Sequence, residues 1–355
     1  MKDSRLEALR SLMAEQGLDA MLVSKPVHLQ YFSGFRGDSA VLVIGREKTI
    51  LATDSRYTEQ AAQQAPRYEV VEQKEGLWPK VSECVKQLGV RAVGFESNDM
   101  VYRDYERLSK LLEHVTLKPC VLDHLRQIKD AEEIACIRKA CEIADRAFTD
   151  ILQYIRPGIS ELAVAAHMEN CMRELGSEGP SFTTIVASGA RGSLPHGIAT
   201  EKLIVSGEFV TMDYGAVYAG YRSDITRTIC VGHADEKQRR IYGSVLRAQK
   251  EALSAIRPGV SGKAVDAVAR NSLEKDGLAQ YFGHGLGHSL GLEIHEEPRL
   301  SPKSSCEHLV RNMLVTDEPG VYLPGWGGLR IEDTVLVTEQ GGVPLTASDK
   351  QLIEL

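Results

Sequence analysis

Residues 283–295 read Gly-His-Gly-Leu-Gly-His-Ser-Leu-Gly-Leu-Glu-Ile-His and combine three histidines with four glycines. Imidazole is the commonest metal ligand and the usual acid or base near neutral pH, so the run predicts a metal site or a reacting substrate. Glycine loses more backbone entropy on folding than any other residue, which indicates that this backbone turns tightly or passes close to another group. For the run alone, a glycine-rich turn with packed histidines remains the alternative.

Four acidic residues lie in otherwise apolar, strand-like sequence: Asp213, Asp224, Glu318 and Glu332. Acidic side chains are disfavoured inside strands, so their presence needs an explanation. If the four converge, two carboxylates 4 Å apart repel each other by about 4 kcal/mol at an effective dielectric near 20. Protonation, as in an acid dyad, or bound cations would relieve that repulsion. Acids on ordinary surface strands are the remaining interpretation.

Two divalent metal ions would neutralise all four carboxylates, and one imidazole from residues 283–295 would complete a set of mostly oxygen ligands. Such hard ligands favour Mn²⁺ as the expected ion, with Co²⁺, Fe²⁺ or Zn²⁺ as alternatives. A closed thiolate zinc site is not expected, because the seven cysteines are scattered and form no Cys-x-x-Cys pair. They are predicted to be reduced thiols.

An internal repeat predicts how the carboxylates come together. The segment Ile-Arg-Pro-Gly-Ile-Ser at 155–160 returns as Ile-Arg-Pro-Gly-Val-Ser at 256–261. At each place Pro and Gly end one predicted helix and Ser caps the next. These helices are predicted at 130–155, 161–175, 238–255 and 263–275, and strands at 182–188, 208–217, 223–231, 313–322 and 329–338. Two halves related by approximate two-fold symmetry would then each give two carboxylates to a central cleft.

The first third of the chain has a different pattern. Apolar runs predict strands at 20–23, 40–44, 50–53, 69–71, 92–95 and 115–122, separated by helical patterns at 56–64, 81–88 and 102–112. This alternation predicts a small α/β domain over residues 1–125, followed by a second domain over residues 126–355. The first domain contains no constellation of catalytic residues.

Composition excludes several classes of partner. The 43% of apolar and 26% of charged residues are typical of a soluble globular protein, and the net charge of −7 argues against non-specific nucleic-acid binding. No run of eighteen apolar residues predicts a membrane span. The first ten residues alternate charge with leucine and lack the apolar core of a secretory signal, so a cytoplasmic location is expected.

The chain from about residue 130 onward resembles the pita-bread metallopeptidases, and the whole chain resembles their two-domain branch with Xaa-Pro dipeptidase (prolidase) and aminopeptidase P. The resemblance rests on Leu-Pro-His196-Gly, Asp213, Asp224, Gly-His-Gly-Leu-Gly-His288, Ile-His295-Glu-Glu-Pro, Glu318-Pro-Gly-Val-Tyr322 and Arg330-Ile-Glu332-Asp. It implies an α+β fold. A small N-terminal α/β domain of the creatinase/prolidase type would precede a pseudo-two-fold pita-bread catalytic domain.

The same resemblance implies a dinuclear metal site. Its ligands would be Asp213, Asp224, His288, Glu318 and Glu332. Asp224 and Glu332 would bridge the two ions, and a hydroxide held between the ions would attack the peptide carbonyl. Glu318 is the candidate to take and return the proton. His196 and His295 match positions that line the substrate side, where imidazoles hydrogen-bond the scissile carbonyl or the tetrahedral intermediate.

Other residues receive supporting roles from the resemblance. Arg330 would orient a carboxylate by forked hydrogen bonds, and Tyr322 would add a hydroxyl nearby. Arg299, in His-Glu-Glu-Pro-Arg-Leu, matches a position that meets the substrate's free carboxylate in prolidase-like members; an ordinary surface arginine beside a turn is the alternative. His284 lies outside the ligand set and is expected to support or pack.

The activity implied by the resemblance is hydrolysis of the Xaa-Pro bond at the N-terminus of dipeptides or short peptides. Proline specificity comes from the resemblance alone. An aminopeptidase P acting on longer peptides is the main alternative, followed by a lyase, an amidinohydrolase or a non-catalytic binding protein on the same fold. The complete ligand set favours metal catalysis, and the N-terminal domain weighs against a methionine aminopeptidase. That domain resembles one used for dimer contacts and for restricting access to the cleft, so a homodimer is expected.

Overall fold

The computed structural model describes residues 2–355, with side chains from Ser4 onward, and the chain divides into two compact units between Arg126 and Gln127. Five helices in the first unit are α1 (Lys2–Glu15), α2 (Pro26–Ser33), α3 (Thr58–Gln64), α4 (Leu77–Leu88) and α5 (Tyr102–Leu111). Six strands are β1 (Ala20–Val23), β2 (Ala40–Gly45), β3 (Thr49–Thr53), β4 (Glu69–Glu72), β5 (Ala92–Glu96) and β6 (Thr116–Cys120).

The six strands form one mixed sheet in the order β4-β3-β2-β1-β5-β6. Strand β1 pairs antiparallel with β2 and parallel with β5, and every residue of β1 and β2 is buried. The helix α4 packs Val81 and Val85 into the cluster that contains Leu22 and Val43 of the sheet. Continuous apolar runs therefore became central strands, as expected for strands covered on both faces.

The helix α2 was not predicted from the sequence. Its eight residues carry no acidic side chain in the first turn and no basic side chain in the last, so the usual charge signals of helix ends are missing. Pro26 occupies the first turn, where its fixed φ suits a helix, and Gly34 ends the helix at φ 87°. A short helix defined by these two residues alone has too little periodicity to detect.

The second unit repeats one helical motif. Its four helices are α6 (Ala131–Tyr154), α7 (Glu161–Glu174), α8 (Glu236–Ala255) and α9 (Gly262–Glu274). Ser160 caps α7 by accepting from the Ala163 N–H at 3.1 Å, and Ser261 caps α9 by accepting from Ala264 at 3.2 Å. Both α6 and α8 also begin with a capping box, and the glycines of both repeated segments have φ near 87° and 85°. The repeated sequence therefore adopts the same backbone twice.

The strands of the second unit are β7 (Ile185–Ser188), β8 (Glu208–Tyr214), β9 (Val217–Tyr218), β10 (Tyr221–Arg222), β11 (Ile225–Val231), β12 (Gly287–Ser289), β13 (Glu296–Leu300), β14 (Leu314–Asp317), β15 (Gly320–Leu323), β16 (Gly327–Arg330), β17 (Asp333–Thr338) and β18 (Gly341–Pro344). The first half has the sheet β11-β8-β7, and the second half has the sheet β14-β17-β18. Three hairpins, β9/β10, β12/β13 and β15/β16, complete the unit.

Each half covers one face of its sheet with its own helices. In the first half Ile143 of α6 and Met168 of α7 pack with Met212 of β8. In the second half Val245 of α8 shares a cluster with Val335 of β17. Because side chains alternate along a strand, the opposite face of each sheet is left for polar groups. No helix within residues 2–355 is both long and apolar enough to cross a membrane.

Two predicted strands of the second half are each divided in two. The predicted run 313–322 is β14 and β15, which belong to different sheets, and 329–338 is β16 and β17. Pro319 lies at the first break, where a residue without an N–H cannot continue a ladder. Glu318 and Glu332 therefore lie at strand breaks, and Asp224 directly precedes β11. Only Asp213 among the four acids lies inside a strand, which corrects the expectation from sequence.

Candidate metal centre

The four acids reach one place from four chain segments. Asp213 lies opposite Thr226 in the β8/β11 pair, on the face away from the core residue Met212. The Glu332 N–H donates to the Thr226 carbonyl at 3.1 Å, which joins the two halves at this point. The Glu318 N–H donates to the carbonyl of Leu286 at 2.9 Å, one residue before β12. Backbone hydrogen bonds thus fix the positions of Asp213, Glu318 and Glu332 at the junction of the two halves.

A compact group of possible ligands forms at this junction. Asp224, His288 and Glu332 each offer one ligand atom, and these three atoms lie within 4.8 Å of one another. The His288 Nε2 atom lies 3.5 Å from Asp224 Oδ2 and 3.4 Å from Glu318 Oε1. The Glu318 side chain is 15% exposed, whereas Asp224, His288 and Glu332 are buried. Four of the five predicted ligands therefore share one centre by direct distances.

Asp213 interacts electrostatically with the acids of the same centre. Together with burial, its carboxylate raises the pKa of Asp224, of Glu332 and of Glu318. Its Oδ2 atom accepts a hydrogen bond of 2.5 Å from Arg330, while its buried Oδ1 atom has no hydrogen-bond partner. Asp224 Oδ1 is likewise buried without a partner. Unpaired buried carboxylate oxygens are costly, and a cation would satisfy them.

The proton on His288 can be assigned from its contacts. Its Nδ1 atom lies 3.0 Å from the carbonyl oxygen of Ser289, which can only accept, so Nδ1 carries the hydrogen. Burial, with a smaller effect of His295, lowers the pKa of His288 to about 3 and keeps the ring neutral. The Nε2 lone pair then faces two carboxylate oxygens. Lone pairs repel in that arrangement unless a proton or a metal ion lies between them, so the donor set fits a metal ion when the carboxyl groups are ionised.

The acids of the centre resist ionisation in the metal-free protein. Burial is the main cause for each, and the neighbouring carboxylates add to it for Asp224 and Glu332, whose pKa values are raised well above the usual range. Burial also raises the pKa of Glu318 to about 7, although Arg330 opposes the shift. Three acids held together against their own repulsion indicate a site built for positive charge.

Arg330 distributes its hydrogen bonds over several partners. Its guanidinium donates to Asp213 Oδ2 at 2.5 Å, to the Thr226 hydroxyl at 3.0 Å and to the Tyr322 hydroxyl at 2.6 Å. The forked contact with one carboxylate expected from sequence is not what this side chain makes. One arginine instead joins β11, β15 and Asp213, and it partly offsets the charge of the acids.

A chain of hydrogen bonds behind Arg330 was not predicted. The Tyr322 hydroxyl accepts from Arg330 and lies 2.8 Å from His284 Nε2. His284 Nδ1 lies 2.8 Å from the carbonyl of Gly285, so Nδ1 donates and Nε2 accepts the tyrosine proton. Both roles of the Tyr322 hydroxyl are therefore occupied, and His284 supports Tyr322. The short spacing of the histidines gave no signal for this, because the two residues are 38 positions apart in the sequence.

Threonines orient two of the carboxylates. The Thr226 hydroxyl donates to Glu332 Oε2 at 2.6 Å, and the Thr316 hydroxyl donates to Glu318 Oε1 at 2.9 Å. The His288 N–H donates in turn to the Thr316 oxygen at 3.0 Å. Sequence reasoning missed both threonines. Period-two alternation was an available signal for Thr226, since it follows Asp224 by two residues.

The predicted substrate-side residues lie at the exposed rim of the centre. His295 is exposed, and its ring centroid lies 4.4 Å from that of His288. Arg299 lies opposite His288 in the β12/β13 pair, and its half-exposed side chain lies 3.5 Å from Glu297. Burial, Arg299 and His196 together lower the pKa of His295, which places these cationic or basic groups in one neighbourhood. His196 itself is exposed.

The glycines allow β12 to pass close to β14. A Cβ atom added at Gly287 would lie 2.0 Å from the Thr316 carbonyl oxygen, whereas one added at Gly283 would meet nothing within 4 Å. We expect Gly287→Ala to displace His288 and to lower the free energy of unfolding by about 2 kcal/mol, with a loss of metal affinity. Gly283→Ala, the matched control, should change stability by less than about 0.5 kcal/mol. Calorimetric metal titration and urea unfolding would check this; equal effects of both variants would contradict it.

Comparison with known families gives two matches that together span nearly the whole chain. The model of metallopeptidase family M24 matches residues 135–339, and the model of the creatinase/prolidase N-terminal domain matches residues 5–128. These matches confirm the predicted family resemblance and the predicted fold class, a small N-terminal domain followed by a pita-bread domain. They also confirm that the chain has the sequence of a hydrolase of the metallopeptidase type, for which divalent metal ions are implied.

Individual proteins with known names are similar over almost their full length. An Xaa-Pro dipeptidase of Pyrococcus furiosus is 41% identical over 351 residues, covering 98% of this chain and 99% of that protein. A solved structure of an Xaa-Pro dipeptidase from Bacillus anthracis is 42% identical with a TM-score of 0.97 and full coverage of both chains. An X-Pro aminopeptidase structure from Thermotoga maritima is 37% identical with a TM-score of 0.91, covering 96% of this chain and 98% of that one.

Proposed function

Because this chain belongs to metallopeptidase family M24 and carries a creatinase/prolidase N-terminal domain, we propose that it hydrolyses the Xaa-Pro bond at the N-terminus of dipeptides or short peptides. The observation that carries the proposal is the unprotonated Nε2 atom of His288. It lies 3.5 Å from an oxygen of Asp224 and 3.4 Å from an oxygen of Glu318. The names of relatives that are about 40% identical support the substrate class.

The proposed cofactor is a pair of divalent ions, with Mn²⁺ preferred over Co²⁺, Fe²⁺ and Zn²⁺. The proposed ligands are Asp213, Asp224, His288, Glu318 and Glu332. Four carboxylates and one imidazole are a hard ligand set, which suits Mn²⁺. The two orphaned oxygens, Asp213 Oδ1 and Asp224 Oδ1, support the presence of cations in the working enzyme. When bound, two such ions lower the pKa of a water molecule and polarise a carbonyl group.

The chain's own residues supply proton transfer and substrate orientation. Glu318, whose side chain is partly exposed at the centre, is proposed to take a proton and return it to the leaving nitrogen. His196 and His295, both exposed at the rim, are proposed to hydrogen-bond the scissile carbonyl and the oxyanion that develops from it. Arg330 and Tyr322 are proposed to hold Asp213 in place for this geometry.

The proposed function is tested by comparing two substrate lengths. Chelated enzyme resupplied with Mn²⁺ should hydrolyse Xaa-Pro dipeptides, and an Xaa-Ala dipeptide serves as the matched control for proline. Faster cleavage of Xaa-Pro-Yaa tripeptides would instead support an aminopeptidase acting on longer peptides, which the similarity to the Thermotoga maritima enzyme favours as a second candidate. If the enzyme cleaves no Xaa-Pro peptide in either form, the proposal is wrong and a lyase, amidinohydrolase or binding function becomes the better explanation.

Arg299 is proposed to bind the free carboxylate of a dipeptide substrate. Its side chain is half exposed beside the centre, on the strand that pairs with His288. We expect Arg299→Ala to raise KM for dipeptides about tenfold or more, since charged hydrogen bonds contribute about 1.5–3 kcal/mol, and to change KM for tripeptides about twofold or less. Steady-state kinetics with both substrates would measure this, with Arg311→Ala as the control for an exposed arginine. Equal changes for both lengths would remove the assignment.

The assembly and location of the enzyme are also proposed from the family resemblance. The N-terminal domain is proposed to make the contacts of a homodimer and to restrict access to the cleft. All seven cysteines are free thiols, which supports a reducing compartment such as the cytoplasm. Light scattering of the purified chain would test the dimer, and a monomer at micromolar concentration would contradict it.

A further inference from the structure

A buried ion pair lies beside the metal centre, and none of the roles above uses it. The Lys129 ammonium donates to Glu296 Oε2 at 2.7 Å, and the two side chains are only 1% and 5% exposed. The residues are 167 positions apart in sequence. A lysine and a glutamate are almost never fully buried unless they are paired, because each isolated charge would lose its hydration. A pair of this kind holds two chain segments in one arrangement.

The carboxylate of Glu296 packs against the backbone of a loop. Residues 290–295 connect β12 to β13, and the Glu293 N–H donates to Glu296 Oε1 at 3.0 Å. A Cβ atom added at Gly291 would lie 2.9 Å from that same oxygen, so the carboxylate lies directly against the loop backbone. One oxygen of Glu296 therefore holds the loop, and the other is held by Lys129.

The loop ends at a substrate-side histidine. His295 directly precedes Glu296, and its ring lies 4.4 Å from the ring of His288. Glu296 is the register partner of Ser289 in the β12/β13 pair, next to a register shift between His288 and Ser289. The pleated ladder is irregular at this point, so backbone pairing alone fixes the loop less firmly than in a regular hairpin. Arg222 holds the first part of the loop, since its N–H donates to the Gly291 carbonyl at 2.8 Å and its Nε–H to the Leu292 carbonyl at 3.2 Å. The side-chain contact of Glu296 adds a constraint at the end of the loop that carries His295.

The backbone of Lys129 is hydrogen-bonded to the segment that leads into β14. Its N–H donates to the carbonyl of Asn312 at 2.9 Å, two residues before β14 begins. Lys129 thus connects the segment that leads into β14 with the loop that carries His295. Strand β14 in turn leads to Glu318, so Lys129 connects the two sides of the centre through its backbone N–H and its ammonium group.

We propose that Lys129 is a positioning residue: through Glu296 it holds the loop 290–295 so that His295 faces the substrate carbonyl. The inference rests on the proposed function, because His295 has this task only in a peptidase. In this role Lys129 acts through Glu296 and not on the substrate itself. Its effect on catalysis must therefore pass through His295, and that requirement makes the inference testable.

A double-mutant cycle with His295 measures that dependence. Lys129→Met should lower kcat/KM for an Xaa-Pro dipeptide about 10- to 100-fold, the range seen when a supporting group is removed from a site. In the His295→Ala background the same change should cost about twofold or less, because the residue being positioned is gone. The affinity for Mn²⁺, measured by calorimetry, should not change. The exposed Lys303→Met is the control and should match wild type.

The double variant Lys129→Met/Glu296→Gln guards against misfolding, since it removes both charges of the pair together. It should stay folded and show the same loss of kcat/KM, which again disappears when His295 is alanine. A loss of equal size with and without His295 would overturn the inference, as would a fall in Mn²⁺ affinity parallel to the fall in kcat/KM. Either result would mean that the pair only stabilises the fold.

Hydrogen exchange separates this inference from the proposed function. In Lys129→Met the amides of residues 291–295 should exchange at least tenfold faster, while those of β14 should exchange at the wild-type rate. If wild type cleaves no Xaa-Pro peptide, the function fails, yet the exchange rates still decide whether Lys129 holds the loop. Unchanged exchange in the loop would overturn the positioning role whatever the substrate.

Discussion

Replacing either Asp224 or Glu332 by alanine is expected to abolish the binding of two metal ions and to lower turnover by about a thousandfold or more. These two acids and His288 form the tightest group of possible ligand atoms, all within 4.8 Å of one another. Both are buried, and for both the neighbouring carboxylates raise the pKa further than burial alone. Removing one leaves too little negative charge and too few oxygens to hold two divalent cations.

The measurement for this prediction is metal content by elemental analysis after loading with Mn²⁺ and dialysis, together with kcat for an Xaa-Pro peptide. Glu339→Ala is the matched control, because Glu339 pairs with Arg311 on the surface and each side chain is 64% exposed. It should bind two ions and retain wild-type turnover. An Asp224→Ala or Glu332→Ala enzyme with both ions and near-normal turnover would disprove the ligand assignment.

Local signals in the sequence predicted the helices of the second unit closely. The predicted helix 130–155 is α6 (Ala131–Tyr154), and 161–175 is α7 (Glu161–Glu174). Both have strong apolar periodicity and end at caps that act within one turn, such as Ser160. The repeated segment was informative for the same reason: Pro, Gly and Ser determine backbone conformation without help from distant residues.

The strands and the site depended more on tertiary contacts. The hairpin β12/β13 was not predicted, since glycine-rich sequence has low strand propensity and only the close approach to Thr316 explains Gly287. The contacts of Arg330 with Thr226 and Tyr322 join residues that pattern reasoning treats separately. Lys129 is the extreme case, because nothing in the sequence around it indicates a partner 167 positions away.

The acids show where sequence reasoning succeeded for an incomplete reason. They were singled out because acidic residues are unfavourable inside strands, yet only Asp213 lies inside one. Glu318 and Glu332 lie at breaks, where the chain leaves one sheet for another and the side chain is freed from the alternation of a continuous strand. The useful signal was the presence of acidic residues in apolar sequence. Where each acid lies relative to its strand could be seen only in the structure.

The chelated protein is expected to lose stability as pH rises from about 6.5 to 8.5. Burial raises the pKa of Glu318 from 4.5 to about 7, and burial with neighbouring carboxylates raises those of Asp224 and Glu332 well above the usual range. An acid whose pKa is higher in the folded state holds its proton there while the unfolded chain has already lost it. Its contribution to stability is present at low pH and is lost as pH passes the folded value.

The buried histidines oppose this trend. Burial lowers the pKa of His288 to about 3 and that of His284 to about 4, so their contribution grows with pH until the unfolded chain has lost the corresponding protons. Each of them still adds less than about 0.5 kcal/mol between pH 6.5 and 8.5, and Glu318 alone should cost about 1 kcal/mol across that range. Asp224 and Glu332, whose pKa values are raised well above the usual range, therefore determine the sign.

Thermal unfolding in EDTA at pH 6.5 and 8.5 measures the loss, and Glu318→Gln should show a smaller fall because its amide does not titrate. Adding Mn²⁺ should reverse the trend, because the ligands must be deprotonated to bind and affinity for the metal then rises with pH. The metal-loaded protein should accordingly be more stable at pH 8.5 than at 6.5. A chelated protein that melts at the same or a higher temperature at pH 8.5 would show that these carboxylates are not held together in the metal-free state.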